Sequence, residues 1–143
     1  MLPNFTYLAS VLAFSGLAYG VPSPTQVGIS ADPTPDDFKD YACDSPGAKW
    51  AEISNIKKGA EYLYTRSDKA RISKGPDHCD RVSCSWNSAI FLCNEDTVAK
   101  VLEWKQLGDA TELLLVKCGD NGVVKGQVNF NDKWNIVVKN DVC

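Results

Sequence analysis

The chain has 143 residues, of which 44% are hydrophobic and 23% charged, and its formal net charge at pH 7 is −3. These values are typical of about one globular domain, and the lack of a cationic excess argues against a nucleic-acid-binding protein. His78 is the single histidine, which excludes mechanisms that need two.

The first 20 residues have the pattern of a secretory signal peptide. They carry no charged side chain, and their apolar stretch, residues 5–18, is shorter than the roughly 20 apolar residues that a membrane span requires. Ala18 and Gly20 provide the small residues that signal peptidase recognises. We predict cleavage after Gly20 and secretion, with a buried N-terminal helix as the alternative. No later stretch is long and apolar enough to predict a membrane span.

Residues 21–37 predict a flexible tail or a short pro-segment. Pro22, Pro24, Pro33 and Pro35 lie there among small and polar residues, and such a segment buries too little apolar surface to offset its ordering entropy. The predicted folded domain therefore spans residues 38–143.

The first predicted element of the domain is a helix that begins at Ser45 and Pro46 and stops at Gly59. An apolar stripe along it consists of Trp50, Ile53 and Ile56. The next segment, residues 60–66, predicts a strand in which Tyr62 and Tyr64 share a face. The polar residues 67–77, which include Gly75-Pro76, predict a loop.

Residues 81–93 predict a β-hairpin with Asn87 and Ser88 at its turn. Strict alternation places one set of side chains on a single face of this hairpin: Val82, Cys84, Trp86, Ala89, Phe91 and Cys93. Ser83 and Ser85 then lie on the other, outer face.

The C-terminal part predicts helices followed by a second hairpin. Asp96 predicts the start of a helical segment that runs toward Gly108, and residues 109–118 predict a further helix with an apolar side. Residues 123–130 and 134–139 predict two paired strands. The whole pattern predicts an α+β domain with two or three short helices packed on an antiparallel sheet of about five strands.

Six cysteines predict three disulfides that staple this domain. All of them follow the predicted signal peptide: Cys43, Cys79, Cys84, Cys93, Cys118 and Cys143. An even count in a small secreted domain is typical of a disulfide framework, with fifteen possible connectivities. A zinc site is disfavoured, because the chain has no Cys-x-x-Cys pair and a single histidine. If the hairpin face of Cys84 packs on the helix face of Cys118, these two form a bridge, and Cys93 is an alternative to Cys84.

The densest polar cluster is residues 77–81, and its functional interpretation is an acid/base site. The residues of that site would be His78, Asp77, Asp80 and Arg81, with Glu61 or Glu95 as a further carboxylate. We favour a polar segment that enters a strand, because a lone histidine without a demonstrated partner is weak evidence for catalysis. The chain has no Gly-x-Ser-x-Gly motif and no phosphate-binding glycine loop. We therefore predict no catalytic residue, no cofactor and no metal.

A modestly basic segment is the best candidate for a partner-binding loop. Its residues are Arg66, Lys69, Arg71, Lys74 and His78. The alternative interpretation of such a run is a solvated face.

The four tryptophans could form a platform for sugars, but core packing is favoured for Trp50, Trp86 and Trp134, which fall on apolar faces or in alternating strands. Trp104 is the best candidate for an exposed aromatic side chain.

Two strings of the sequence resemble a group of small, cysteine-rich secreted proteins of filamentous fungi. The first is CSWNSAIFLCN at residues 84–94, and the second combines GQ at 126–127, WNIVV at 134–138 and DVC at 141–143. They are similar to the CSxNSAIxxCN, GQ, WNVIV and DxC elements of that group, whose members are effector candidates. The likeness covers residues 43–143. In layout the chain also resembles killer-toxin-like and necrosis-inducing effector folds.

The resemblance implies a secreted fungal effector that acts on a host, in virulence or in modulation of immunity or cell death. Its implied partner is a host protein or cell-surface component, which it reaches outside host cells or after translocation into host tissue or cells. We expect a monomer that acts by binding and is not an enzyme. The alternative is a secreted toxin or ribonuclease-like enzyme that acts on competing microbes or host cells.

Overall fold

The computed structural model describes residues 37–143. The predicted signal peptide and all but the last residue of the predicted tail lie outside these residues and stay predictions. Within residues 37–143 the chain forms two helices and nine strands. In chain order they are β1 (Phe38–Ala42), β2 (Ala51–Glu52), α1 (Ile53–Tyr64), β3 (Lys69–Ile72), β4 (His78–Ser85), β5 (Ser88–Asn94), β6 (Lys100–Glu103), α2 (Trp104–Cys118), β7 (Val123–Val124), β8 (Gly126–Phe130) and β9 (Trp134–Asn140).

Five strands of the described chain form an antiparallel sheet in the order β1-β8-β9-β5-β4. The other strands pair as two short antiparallel ribbons, β2 with β7 and β3 with β6. Neither helix within residues 37–143 is long and apolar enough to cross a membrane. Two helices on a five-stranded antiparallel sheet with three disulfides confirm the predicted α+β fold.

Both helices pack on the same face of the sheet, α1 over β4 and β5 and α2 over β8 and β9. The inward side chains Ile90 and Val138 belong to one apolar core with Leu63 of α1 and Leu114 of α2, and all four are fully buried. Burial of each side chain of this size contributes about 1.5–3 kcal/mol relative to exposure.

The glycines that were expected to end helices lie inside them and allow close packing. A Cβ atom at Gly59 in α1 would lie 2.7 Å from Ile90 Cδ1 and 2.8 Å from Ser83 Oγ, and one at Gly108 in α2 would lie 2.7 Å from the Tyr64 ring. These positions therefore need glycine because of their neighbours, not because the helix stops. Both predicted helix ends are wrong for this reason.

Several predicted boundaries in the first half of the domain are wrong. Pro46 lies in a turn and Trp50 precedes α1, which continues through most of the predicted strand 60–66. The predicted loop 67–77 contains β3, in which buried Ala70 and Ile72 alternate with exposed basic residues. The segment has the apolar alternation that is typical of a half-buried strand, but its many charged residues led to the prediction of a loop.

The helix predicted to begin at Asp96 is also wrong. Strand β6 occupies Lys100–Glu103, and α2 runs unbroken from Trp104 to Cys118. A capping box determines this start, because the backbone N–H of Glu103 donates to Gln106 Oε1 at 2.9 Å and the Glu103 side chain caps the first turn.

The first predicted hairpin is confirmed as β4–β5, but its turn is Trp86-Asn87, one residue earlier than predicted. Cys84 pairs with Ala89 across the hairpin, so the face shared by Cys84, Ala89 and Cys93 is correct. That face points away from the helices, since the opposite one, with Ser83 and Ile90, lies beneath α1. The prediction that Ser83 lies on an outer face is therefore wrong.

The prediction that all six cysteines form disulfides is confirmed. The pairs are Cys43–Cys118, Cys79–Cys93 and Cys84–Cys143. The expected bridge from Cys118 to Cys84 or Cys93 is wrong, because both hairpin cysteines lie on the face away from α2. Cys118 instead bonds Cys43, which directly follows β1.

Candidate functional site

Two of the four arginine and lysine side chains of the predicted basic loop are ion-paired in the structure. The Arg66 guanidinium donates to both carboxylate oxygens of Asp68, at 3.2 and 3.0 Å, and lies 4.6 Å from the centroid of the Trp104 ring. This hydrogen bond lowers the pKa of the Asp68 carboxyl below its ordinary value. Lys69 forms an ion pair with Glu103. Arg71 and Lys74 stay exposed, so the positive charge that the segment offers an acidic partner is concentrated on these two side chains.

The predicted acid/base cluster is divided by the pleat of β4. His78 Nε2 lies 3.3 Å from Asp80 Oδ1, with both side chains about half exposed. Cys79 and Arg81 lie on the opposite face, where Cys79 is in a disulfide and Arg81 Nη1 donates to the Val142 carbonyl at 2.7 Å. The anion-binding arginine of the predicted site is thus turned away from the histidine.

Glu95 and Glu61, the further carboxylates of the predicted acid/base site, either make other contacts or lie elsewhere. Glu95 accepts hydrogen bonds from the backbone N–H of Asp77 at 3.4 Å and from Asn135 Nδ2 at 3.3 Å, while Glu61 lies exposed on α1. Within residues 37–143, no group of three or more His, Cys, Asp or Glu side chains is arranged to hold a metal ion.

The tryptophans are distributed differently from the prediction. Trp134 is buried as expected, but Trp50 is half exposed and Trp86 is 84% exposed. Trp104, the predicted exposed residue, is half buried between the Arg66 guanidinium and Asp68, to which its Nε1 donates at 2.9 Å. Trp86 is therefore the most exposed of the four tryptophans.

Trp86 lies in a backbone conformation that bulky residues rarely adopt. Its φ is 48° and that of Asn87 is 55°, the positive pair that a two-residue hairpin turn of type I′ requires. Asparagine and glycine tolerate this region, whereas tryptophan there is strained by roughly 1–2 kcal/mol. The surrounding structure must hold such a residue in place.

The C-terminal segment provides that support. The backbone N–H of Asp141 donates to the Asn87 carbonyl at 3.0 Å, and Cys143 is bonded to Cys84 two residues before the tip. Arg81, bound to the Val142 carbonyl, fixes the same segment further along β4. The indole ring is thus displayed on a turn whose backbone is anchored on both sides.

A groove next to this tip runs between α1 and β4. Its volume is about 480 Å³, and its lining includes Lys58, Tyr62, Arg81, Ser83 and Ser85. β4 is an edge strand, since no other strand of residues 37–143 pairs with its outer side. We call Trp86 together with this groove the β4 surface. It combines an exposed aromatic ring and hydroxyl groups with Lys58 and with Arg81, which is ion-paired with Asp141. This composition is typical of protein-binding sites.

Sequence reasoning missed Trp86 because its alternation pattern is that of a strand residue. The signal that could have found it is the CSWNSA string itself, in which Asn87 is a good residue for a left-handed turn position. A turn centred one residue earlier removes Trp86 from the sheet face altogether.

Comparisons with known proteins do not add a family. No protein-family model matches the chain, and a search of curated proteins finds no match. The function is therefore argued from the β4 surface and from the sequence.

Proposed function

We propose that this protein is a secreted fungal effector that acts on a host by binding a host protein through the β4 surface. The observation that supports this most is Trp86, which is 84% exposed and held at a positive φ of 48°. A strained, exposed tryptophan lowers stability without contributing to the core, so its role lies outside folding.

The chemistry of the β4 surface favours a protein partner. Tryptophan, tyrosine and arginine supply most of the binding energy in protein interfaces. Here Arg81 lies on β4, Trp86 on the turn that follows β4, and Tyr62 on the neighbouring helix α1. Lys58 adds positive charge to the groove in a chain of net charge −3, whereas Arg81 Nη1 lies 3.6 Å from Asp141 Oδ2 and is ion-paired. The expected partner has an apolar pocket for the indole ring and carboxylates beside it.

Secretion is supported by two independent features of the chain. Residues 1–20 have the pattern of a signal peptide, and all six cysteines of the chain form disulfides, which persist in oxidising compartments. The fungal origin and the host role come from the resemblance of residues 84–94 and 126–143 to effector candidates.

The proposal is tested by transient expression in plant leaves, with and without residues 1–20. We expect cell death or altered immune signalling from the full chain, recovery of the protein in the apoplastic fluid, and an N-terminus at Val21. Comparing both forms distinguishes an external from an internal site of action. A chain that stays in the cell with residues 1–20 intact would contradict secretion.

The role of the β4 surface is tested with Trp86→Ala. The matched control is Val116→Ala, which removes an apolar side chain that is 65% exposed on α2. We expect Trp86→Ala to remove the leaf response while the protein still folds, and Val116→Ala to retain it. Equal responses from both variants would show that the partner does not use Trp86.

The alternative function, a ribonuclease-like enzyme, rests on the 3.3 Å contact between His78 and Asp80. Purified protein is assayed for hydrolysis of RNA, and the leaf assay is repeated with His78→Ala. We expect no hydrolysis and an unchanged leaf response. Loss of both activities in His78→Ala would replace the binding proposal with the enzymatic one.

A further inference from the structure

A second concavity lies at the end of the sheet away from Trp86. Strand β9 connects the two ends, because Asn140 pairs with Ser88 beside the tip and Trp134 pairs with Asn94 at the other end. Seven residues of strand separate the ends by roughly 20 Å. The concavity has a volume of about 360 Å³ and is lined by polar side chains over an aromatic base: Lys39, Glu95, Asn129, Asn131, Lys133 and Asn135, with Phe130 and Trp134. We call it the amide hollow.

Asn135 in this hollow has an unsatisfied polar atom. The residue is 3% exposed, and its Nδ2 donates to Glu95 Oε1 at 3.3 Å. Its Oδ1 has no hydrogen-bond partner within residues 37–143, and no other side-chain oxygen or nitrogen buried there shares this state. Flipping the amide would place its oxygen against the Glu95 carboxylate, so the observed orientation is the favourable one. A buried acceptor without a partner is costly, so Asn135 Oδ1 needs a donor from outside the chain, an ordered water or a ligand.

The neighbouring amide shows that this is a local feature of Asn135. On the adjacent strand, Asn129 accepts a hydrogen bond from Gln127 and donates one to Asp40. Both polar side-chain atoms of Asn129 have hydrogen-bond partners within the protein, whereas Asn135 has a partner for its Nδ2 and none for its Oδ1 within residues 37–143. The unpartnered oxygen therefore distinguishes one position on the lining.

The lining is held rigidly from two sides. The rings of Phe130 and Trp134 stack with centroids 3.7 Å apart and planes 6° from parallel, which fixes the β8–β9 turn. The backbone N–H of Glu95 donates to the Lys133 carbonyl at 2.9 Å, so the carboxylate is tied to the same turn. A lining that is fixed in advance lowers the ordering cost of binding.

The charges of the hollow decide the class of ligand. An inorganic anion without hydrogen-bond donors cannot satisfy Asn135 Oδ1 and is repelled by Glu95. A cation is repelled by Lys39 and Lys133 at the rim. A hydroxyl group both donates and accepts, so it serves the Asn135 oxygen, the Glu95 carboxylate and the lysine ammonium groups alike. We propose that the amide hollow binds a neutral, hydroxyl-rich ligand, a sugar unit of a glycan.

Access to Asn135 requires movement of the rim. Both Lys39 and Lys133 are exposed, and long lysine side chains move at little cost on the nanosecond timescale. The sugar has two possible sources, a cell-wall polysaccharide or the glycan of a glycoprotein. This site is separate from the β4 surface, so either can be wrong without the other.

The test is a titration of the purified folded domain followed by ¹H–¹⁵N NMR, in which the side-chain NH₂ groups of asparagine give their own signals. The probes are cellotetraose, laminaritetraose, chitotetraose and a mannose-rich oligosaccharide, each up to about 10 mM, which detects a Kd of about 1 mM or tighter. Inorganic sulfate, an anion without hydrogen-bond donors near neutral pH, is the control. We expect at least one sugar to shift the Nδ2 signals of Asn135 and Asn131, with sulfate inactive.

The responding probe identifies the source of the sugar. A shift with the glucose or N-acetylglucosamine oligomers indicates a wall polysaccharide, and one with the mannose-rich probe indicates a glycoprotein glycan. Absence of a shift with every sugar, a larger shift with sulfate, or shifts confined to Trp86 and its neighbours would each overturn the proposal.

A variant pair sharpens the assignment. Glu95→Gln removes the carboxylate that accepts from the ligand, and Glu61→Gln makes the same change on the exposed side of α1. We expect Glu95→Gln to weaken the Kd by about tenfold and Glu61→Gln to leave it unchanged. If Glu95→Gln does not fold, the wild-type titration still decides, because the Asn135 signal is read directly.

Discussion

The tryptophans of the two hairpins of the sheet differ in their exposure to solvent. At the β4–β5 turn, Trp86 occupies the turn itself and is 84% exposed, whereas at the β8–β9 turn Trp134 is the first residue of β9 and is 3% exposed. Both turns use residues with positive φ, Trp86 and Asn87 in one and Lys133 in the other. A shift of one residue relative to the turn thus decides whether an indole ring packs in the core or faces solvent.

The two ends also differ in how they are held. The projecting tip is anchored by the disulfide of the C-terminal segment, while the amide hollow is held by ring stacking and by Lys100, which bonds Asp96 and Asp132 across two loops. Covalent and polar anchors respond to different perturbations. The comparison can therefore be tested one end at a time.

The largest effect is expected from the disulfides. Cys84–Cys143 spans 59 residues and Cys79–Cys93 spans 14, and loop-closure entropy makes their removal cost about 4 and about 3 kcal/mol respectively. Paired Cys→Ser variants are compared by urea unfolding. A larger loss from the Cys79–Cys93 pair would mean that the tip is not the end most dependent on its covalent anchor.

The next effect concerns the polar anchor of the hollow. The side chain of Lys100 is 7% exposed, with Nζ 3.2 Å from Asp96 Oδ2 and 3.3 Å from Asp132 Oδ1. Lys100→Met leaves both carboxylates without this donor and should lower the free energy of unfolding by about 2 kcal/mol. Lys105→Met is the control, because the exposed Lys105–Asp109 pair contributes about 0.3–0.5 kcal/mol. Similar losses from both variants would remove the distinction between them.

A stabilising change is expected at the tip. Trp86→Asn relieves the positive-φ strain, and the free energy of unfolding should rise by about 1 kcal/mol, with a Tm about 4–8 °C higher. The host response should be lost in the same variant. Trp50→Asn, at a position outside the residues with positive φ, should bring no such gain. A less stable Trp86→Asn protein would show that the indole ring contributes to folding.

The smallest effect is a pH dependence at the hollow end. The hydrogen bond from Lys100 and one from the Thr97 backbone N–H lower the pKa of Asp96 below its ordinary value of 3.8. A carboxyl with a lowered pKa stabilises the fold above its unfolded pKa, and this contribution disappears as the pH falls through the folded pKa. The free energy of unfolding should thus decrease as the pH falls below about 4, and less steeply in Asp96→Asn. An unchanged slope would contradict this, and Glu61→Gln serves as the control.

The sheet could be predicted from the sequence because its strands carry regular apolar alternation. Residues 123–130 and 134–139 were placed almost as they occur, since inward Val128, Ile136 and Val138 recur at every second position. The helices were less predictable. Gly59 and Gly108 look like helix ends, and only the tertiary contacts with Ser83 and Tyr64 show why glycine stands in the helix interior.

The candidate sites were beyond the reach of sequence patterns for different reasons. The local alternation pattern predicts that Trp86 is a strand residue. Its positive φ depends on the anchored C-terminal segment, which that local pattern does not include. The sequence pattern predicts Asn135 to be an outward polar residue on β9. That its Oδ1 has no partner depends on the positions of Glu95, which directly follows β5, and of Asn129 on β8. The pairing of Cys118 with Cys43 depends on which sheet face meets α2, which spacing along the chain does not encode.

The strained turn has a consequence for how this protein changes over generations. Most substitutions at position 86 that relieve the positive φ would raise stability, so drift alone would replace tryptophan there with asparagine or glycine. A lineage that no longer meets its partner would lose the indole ring early, while the buried positions around Gly59 and Gly108 stayed the same. The identity of residue 86 in natural variants therefore indicates whether the tip is still under selection.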